Sequence, residues 1–207
     1  MEGFIPTLVN IGVSSYSGTF GGCASLESVV FGDGIEEVPA WIFENCSNLT
    51  TVVFGKNVKT IGHDAFYRTG IISLDFPDSL ETIESAAFMQ CTSLESVNFN
   101  EGLKTIEYKA FHDCSSIKSI VLPNSLTNIG ASSYSGTFGG CASLESVVFG
   151  DGIEEIPAWI FENCSNLTTV VFGKNVKTIG NDAFYKCPLT NIQFRGNPID
   201  IPGVTTP

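Results

Sequence analysis

The chain repeats itself on two length scales, and this limits what it can fold into more than any other feature. Residues 10–67 return at 128–185 with three changes: Val13 becomes Ala131, Val38 becomes Ile156 and His63 becomes Asn181. The offset of 118 residues is too long for one supersecondary unit, and a shorter period runs inside it. Leu80-Glu-Thr-Ile83, Ala87-Phe88, Cys91, Leu94 and Val97-Asn-Phe99 are answered 23 residues later by Leu103-Lys-Thr-Ile106, Ala110-Phe111, Cys114, Ile117 and Ile120-Val-Leu122. A period of this size belongs to a solenoid, in which no single unit buries its own apolar face and each unit packs on its neighbours.

Written out, the unit is L-xx-I-xxx-AF-xx-C-xx-L-xx-V-x-F. It starts at Leu8, Ile35, Val58, Leu80, Leu103, Leu126, Ile153 and Val176, with steps of 27, 23, 22, 23, 23, 27 and 23 residues. Five steps restore the long offset, so a block of five units was copied with its irregularities included. The L-xx-V-x-F segment, as in Leu49-Thr-Thr-Val52-Val53-Phe54, alternates β-branched and aromatic residues and reads as a short strand. It closes on turn chemistry such as Gly32-Asp33-Gly34 or Pro123-Asn124-Ser125. L-xx-I is a second brief extended run, and A-F-xx-C is too short for a free helix, so the spacing predicts one helical or 3₁₀ turn there.

Stacking turns every apolar position into a ladder. Phe20, Phe43, Phe66, Phe88, Phe111, Phe138, Phe161 and Phe184 hold the turn position. Phe31, Phe54, Phe76, Phe99, Phe149, Phe172 and Phe194 hold the strand position, with Leu122 substituting once and Phe4 opening the ladder. All 16 phenylalanines are thereby assigned to the core. The seven cysteines sit at 23, 46, 91, 114, 141, 164 and 187, each three residues after a turn phenylalanine, and Thr69 stands where an eighth would be. An odd count on the repeat period fits neither a disulfide framework nor a zinc site, so a buried thiol ladder is expected.

The pattern I-xxx-AF-xx-C-xx-L-xx-V-x-F resembles the BspA-type leucine-rich repeat family, found in surface proteins of anaerobic bacteria and parasitic protists. The resemblance covers all but about the last ten residues. It implies a right-handed, curved leucine-rich-repeat solenoid of about eight repeats, β-rich, with a parallel sheet of short strands. It also implies a module of a long cell-surface protein that binds host matrix, other cells or other proteins. Ligand-contacting residues are not a shared motif of such families, so none is carried over.

One elongated domain over 1–197 is expected, with 198–207 as a partial cap or linker. The opening Met1-Glu-Gly-Phe-Ile-Pro6 lacks the basic start and apolar run of a signal peptide, and Phe4 is already in strand register. The chain therefore reads as a segment of a longer protein. A net charge of −12 and a pI near 4.4 argue against nucleic acid or an anionic membrane as partner, and no stretch suits membrane insertion.

Four places depart from the bland repeat. The insertions Gly12-Val-Ser-Ser-Tyr16-Ser-Gly-Thr19 and Gly130-Ala-Ser-Ser-Tyr134-Ser-Gly-Thr137 have the Tyr/Ser/Gly composition of binding loops. Tyr16 and Tyr134 are thus partner-binding candidates, the other reading being that each tyrosine folds back on its neighbour. Trp41 and Trp159 occupy a register position that should face solvent. They are either contacts for a partner or covers for the inserted loops. Asp33-Gly-Ile-Glu36-Glu37 gathers carboxylates of the kind Ca²⁺ accepts, but without a known calcium-loop spacing. Along the same register Glu36, Lys59, Glu81 and Lys104 alternate in sign, which reads as a register-fixing ladder. Finally, the outward strand rows Ser28-Thr51-Ser73-Ser96-Ser119 and Val30-Val53-Asp75-Asn98-Val121 make either a flat protein-binding face or a plain expression of β-propensity.

Enzymatic signatures are scarce. His63 is replaced by Asn181 in the copy, His112 sits at a variable turn position, and Cys114 belongs to the thiol ladder. No phosphate-binding glycine loop, HExxH or GxSxG occurs, so neither catalysis nor a cofactor or metal is expected. The sequons at Asn45, Asn48, Asn163 and Asn166 read as by-products of the repeat. The resulting expectation is a non-catalytic, protein-binding adhesion module at the cell surface, recognising a matrix or cell-surface protein. The alternatives are a cytoplasmic scaffold or a spacer module.

Overall fold

The computed structural model describes residues 18–130 and 134–196. Eight strands line one wall of the solenoid: β1 (Ser28–Val30), β3 (Thr51–Val53), β5 (Ser73–Asp75), β7 (Ser96–Asn98), β9 (Ser119–Val121), β11 (Ser146–Val148), β13 (Thr169–Phe172) and β15 (Asn191–Phe194). Seven two-residue strands form a second wall: β2 (Glu37–Val38), β4 (Thr60–Ile61), β6 (Thr82–Ile83), β8 (Thr105–Ile106), β10 (Asn128–Ile129), β12 (Glu155–Ile156) and β14 (Thr178–Ile179). Every pairing is parallel and joins equivalent residues, Val29 to Val52 on one wall and Ile61 to Ile83 on the other. The two extended runs read from the unit are therefore both strands, as the period-2 alternation required.

The third wall differs from the expected helical turn, and the described residues contain no helix. Glu44 N–H donates to Trp41 O at 3.1 Å and Cys46 N–H to Phe43 O at 3.1 Å, which are local turn bonds. Between them, Trp41, Phe43 and Asn45 donate to His63 O, Ala65 O and Tyr67 O of the next repeat at 2.8, 2.9 and 2.7 Å. Every second amide thus joins the between-repeat ladder instead of closing a helix. The geometry needs left-handed residues at Trp41 and Asn45, with φ of 55° and 60°, and the same two positions recur through Asp182 and Lys186. Such a conformation costs an L-residue about 1–2 kcal/mol, and the between-repeat bonds offset that cost.

The four-residue insertion before Phe138 falls between β10 and this wall. The short-strand sheet stops at β10 and resumes as β12–β14, whereas β9 pairs with β11 in register across the same step. Thr137, read from sequence as part of the inserted loop, is fully buried and closes it by donating to Gly130 O at 2.8 Å.

Inside the walls the turn phenylalanines stack in one column. Phe66–Phe88, Phe88–Phe111 and Phe111–Phe138 have ring centroids 5.2, 5.3 and 5.4 Å apart, with planes within 12° of parallel. The strand phenylalanines form a second column meeting the first edge-on, as Phe149 meets Phe161 at 84°. The assignment of every phenylalanine to the core needs correction at the ends of the described stack. Phe20 is 39% and Phe194 36% exposed, because Phe20 stacks only on Phe43 and β15 pairs only with β13. Phe4 lies outside the described residues.

The thiol ladder is present. The thiols of Cys46, Cys91, Cys114 and Cys164 donate to the turn carbonyls of Phe20, Phe66, Phe88 and Phe138, each in the preceding repeat, at 3.0–3.3 Å. Thr69 fills the missing place with its hydroxyl 3.0 Å from Phe66 O and 3.2 Å from the Cys91 sulfur. Burial pushes the Cys91 thiol up to about 11 and the Cys141 thiol up to about 12. Only Cys23 is exposed and Cys187 half-buried, and all seven are free thiols.

Two measurements check this core. Phe88→Ala is expected to cost about 3–5 kcal/mol in a urea titration, through the cavity it leaves, and Phe20→Ala less than half as much. A thiol-reactive disulfide reagent is expected to label Cys23 and Cys187 in the native protein and the remaining five only on unfolding. The unfolded chain releases thiol protons from about pH 9, while the folded chain holds those of Cys91 and Cys141 to about 11 and 12. Stability is therefore expected to fall with each step in pH above about 9; a flat urea midpoint from pH 9 to 11 would contradict the ladder's burial.

Candidate protein-binding surfaces

The repeat places the sequence candidates on different sides of the solenoid. Tyr16 lies outside the described residues. Tyr134 stands at the corner between β10 and the Phe138 turn and is 83% exposed.

The two tryptophans are half-buried, not solvent-facing as their register suggested. The reason is local. At φ 55° the Trp41 backbone turns the indole edge-on to the His63 ring, 5.2 Å away. The Trp41 side chain also donates to the Asp64 carboxylate, which burial nonetheless raises above its usual range. His63 Nε2 lies 2.7 Å from Asp64 Oδ2, completing a small polar cluster under the indole. In the copy Asn181 replaces His63, and Trp159 rests against Tyr185 at 5.5 Å. The inserted loops end directly on these residues. A Cβ on Gly18 would lie 2.1 Å from Trp41 O, and one on Gly136 2.1 Å from Trp159 O, so only glycine allows that approach.

The calcium reading of Asp33 and Glu36 dissolves into ion pairs. Lys56 Nζ lies 2.7 Å from Asp33 Oδ2 and Lys59 Nζ 2.8 Å from Glu36 Oε2. Lys104–Glu81 at 2.8 Å and Lys177–Glu154 at 2.6 Å repeat the arrangement, so the alternating charges pair one repeat apart. These pairs are exposed and add little stability, but they leave those carboxylates committed. Among the described residues no group of three or more His, Cys, Asp or Glu side chains is arranged to hold a metal ion.

A feature missed from sequence is the position of His112. Its ring lies between Asp113 Oδ2, 3.2 Å from Nδ1, and Glu162 Oε1, 3.5 Å from Nε2. Glu162 is buried there because Gly139 leaves the space, a Cβ on Gly139 falling 2.9 Å from Oε1. The twin residue Glu44 is half-exposed. Only three residues meeting across three repeats reveal the cluster, and no local motif signals it.

Among the described residues, open depressions lie on the strand wall and at the turn corner, and neither of these is lined by Tyr134, Trp41 or Trp159. The first, about 530 Å³, lies on the strand wall and is lined by Ser73, Asp75, Asn98, Glu101, Val121 and Arg195 among others. The second, about 550 Å³, lies at the turn corner. There Gln90 Oε1 accepts from Arg68 Nε at 2.5 Å and its amide donates to Asp113 Oδ2 at 3.4 Å, a network that satisfies itself. On the strand wall, by contrast, aliphatic side chains face solvent: Val30, Val53 and Val121 (63%) in one row, with Ile72 beside it.

No helix among the described residues is long and apolar enough to cross a membrane. Among solved structures, the chain is similar to a T. pallidum leucine-rich repeat protein at 29% identity and a TM-score of 0.67, covering 79% of this chain and 78% of that one. A leucine-rich repeat protein from Eubacterium ventriosum (19% identity, TM-score 0.58) and the pneumococcal vaccine antigen PcpA (20%, TM-score 0.57) share the fold over 80% and 81% of this chain, which spans 54% and 50% of theirs. No curated protein matches the sequence. The model of the BspA-type leucine-rich repeat region matches six copies over residues 14–137 and 132–203, and the chain belongs to that family.

Proposed function

We propose that this solenoid is a protein-binding module of a cell-surface protein, that its strand wall is the docking side, and that Tyr134 adds a second contact. Residues 1–197 act as one solenoid in this reading, with 198–207 following as cap or linker. The observation that carries it is the set of exposed aliphatic side chains on the outward face of the parallel strands, Val30 and Val53 on one side of Asp75 and Asn98 and Val121 on the other, beside a row of Ser and Thr hydroxyls. Exposed apolar side chains grouped on one face and rimmed by polar groups mark an interaction site. The stacked strands hold it rigid, so little ordering entropy is lost on binding. BspA-type repeat proteins are typically surface-associated, which supports the surface location, and repeats of this family are typically non-catalytic. A matrix or cell-surface protein is the partner class this reading names.

The test is binding of the purified chain to a panel of matrix proteins and mucins by surface plasmon resonance. Val53→Glu with Val121→Glu changes two exposed residues, so the melting temperature is expected to stay within a few degrees while affinity falls at least tenfold. Tyr134→Ala is expected to weaken binding by a smaller factor. Saturable binding untouched by the valine pair would move the docking side elsewhere.

A further inference from the structure

Resting on the strand-wall reading above, we propose that the depression on that wall takes an extended segment of a partner polypeptide, with a Lys or Arg side chain seated at Asp75. The aliphatic row running along the solenoid is Val30, Val53, Asp75, Asn98, Val121 and Val148, and its two polar members lie within the depression. Several of the solenoid's acids have a lysine one repeat away, as Asp33 has Lys56, Glu81 has Lys104 and Asp151 has Lys174. At Asp75 the equivalent neighbours are Val53 and Asn98, and its bond among the described residues is the neutral Asn98 amide, 2.8 Å from Oδ1. That leaves Asp75 Oδ2 and Asn98 Oδ1 as acceptors on the open wall. Glu101, on the same lining, accepts from the Asn124 backbone at 3.0 Å and adds a second negative charge.

The one cation in the lining, Arg195, does not answer them. Its guanidinium donates to Phe149 O, and it helps Lys174 hold the Asp151 carboxyl below its usual range. The depression is therefore an acidic point set in an aliphatic stripe, and its complement is a cation flanked by apolar side chains.

Spacing narrows the segment further. Asp75 and Val121 are two repeats apart along the row, one step paired as β5–β7 and the next packed without ladder bonds as β7–β9, about 9.6 Å at about 4.8 Å per step. A polyproline II segment brings every third residue to the same side after about 9.3 Å. A cation at one residue then places the third residue beyond it over Val121, which is 63% exposed. An ordinary β-strand would present alternate residues, about 6.6 Å apart, and miss that rung.

The experiment is fluorescence anisotropy with labelled peptides on the whole chain. One peptide repeats Lys-Pro-Pro-Val-Pro-Pro; a second replaces Lys by norleucine; a third by Glu; a fourth closes the Lys-to-Val spacing from three residues to two. Saturable binding of the first, at least tenfold weaker binding of the others, and a tenfold loss with Asp75→Asn at unchanged circular dichroism is the expected result. Raising salt is expected to weaken the first peptide alone. Equal binding of the norleucine peptide, or no effect of Asp75→Asn, would overturn the cation seat while leaving the strand wall as a docking side. Equal binding at the two-residue spacing would overturn the polyproline II geometry. Failure of every peptide overturns this proposal; the protein panel decides the wider reading separately, because a folded partner captured through Val53 and Val121 would still bind.

Discussion

Everything in this molecule depends on the in-register hydrogen bonding of each repeat to the next. Two walls do this as parallel strands, with ladder gaps at β3–β5 and β7–β9 on one and at β10–β12 on the other, and the third does it by sending every second turn amide to the following repeat. Register then decides what each side chain touches: its own equivalent one step above and one step below. In the turn column a phenylalanine meets a phenylalanine, a thiol meets the turn carbonyl of the preceding repeat, and a carboxylate meets whatever the next unit carries at that position. Repetition of sequence follows from this geometry, because any residue that packs well on its copy can be used again.

Most of the fold was legible because these contacts are nearest-neighbour. The 23-residue spacing of Phe88 and Phe111 is the stack itself, and the alternation of Glu36, Lys59, Glu81 and Lys104 is a set of paired charges read in advance. What escaped the sequence depends on backbone sign or on residues far apart. A left-handed φ at Trp41 leaves no trace in hydropathy, yet it turns an apparently solvent-facing indole against His63. The burial of Glu162 by His112 needs a glycine at 139, and the twin Glu44 shows that the local motif alone does not produce it. Phe20 and Phe194 were misplaced because periodicity treats every repeat as interior.

The candidate site shows the same division. The strand rows were visible as rows, but β-propensity accounts for an outward valine as well as binding does. Exposure at Val121 and the neutral partner of Asp75 are properties of the stack that the rows alone do not show. Core and outward rows use opposite faces of the same strands, Val97 inward and Asn98 outward, so the outward residues can change without touching the phenylalanine columns.

The insertion before Phe138 leaves the solenoid mechanically uneven. Across that one step the strand wall and the turn wall remain stitched, through β9–β11 and through the amides of Phe111 and Asp113, while the short-strand wall is slit between β10 and β12. The strand wall has its own openings, between β3 and β5 and between β7 and β9, so the ladder gaps of the two walls fall at different levels of the stack. The Asp75 depression reaches across the level of the insertion on the stitched side, since Val148 and Gly150 line it together with Ser73 and Asn98.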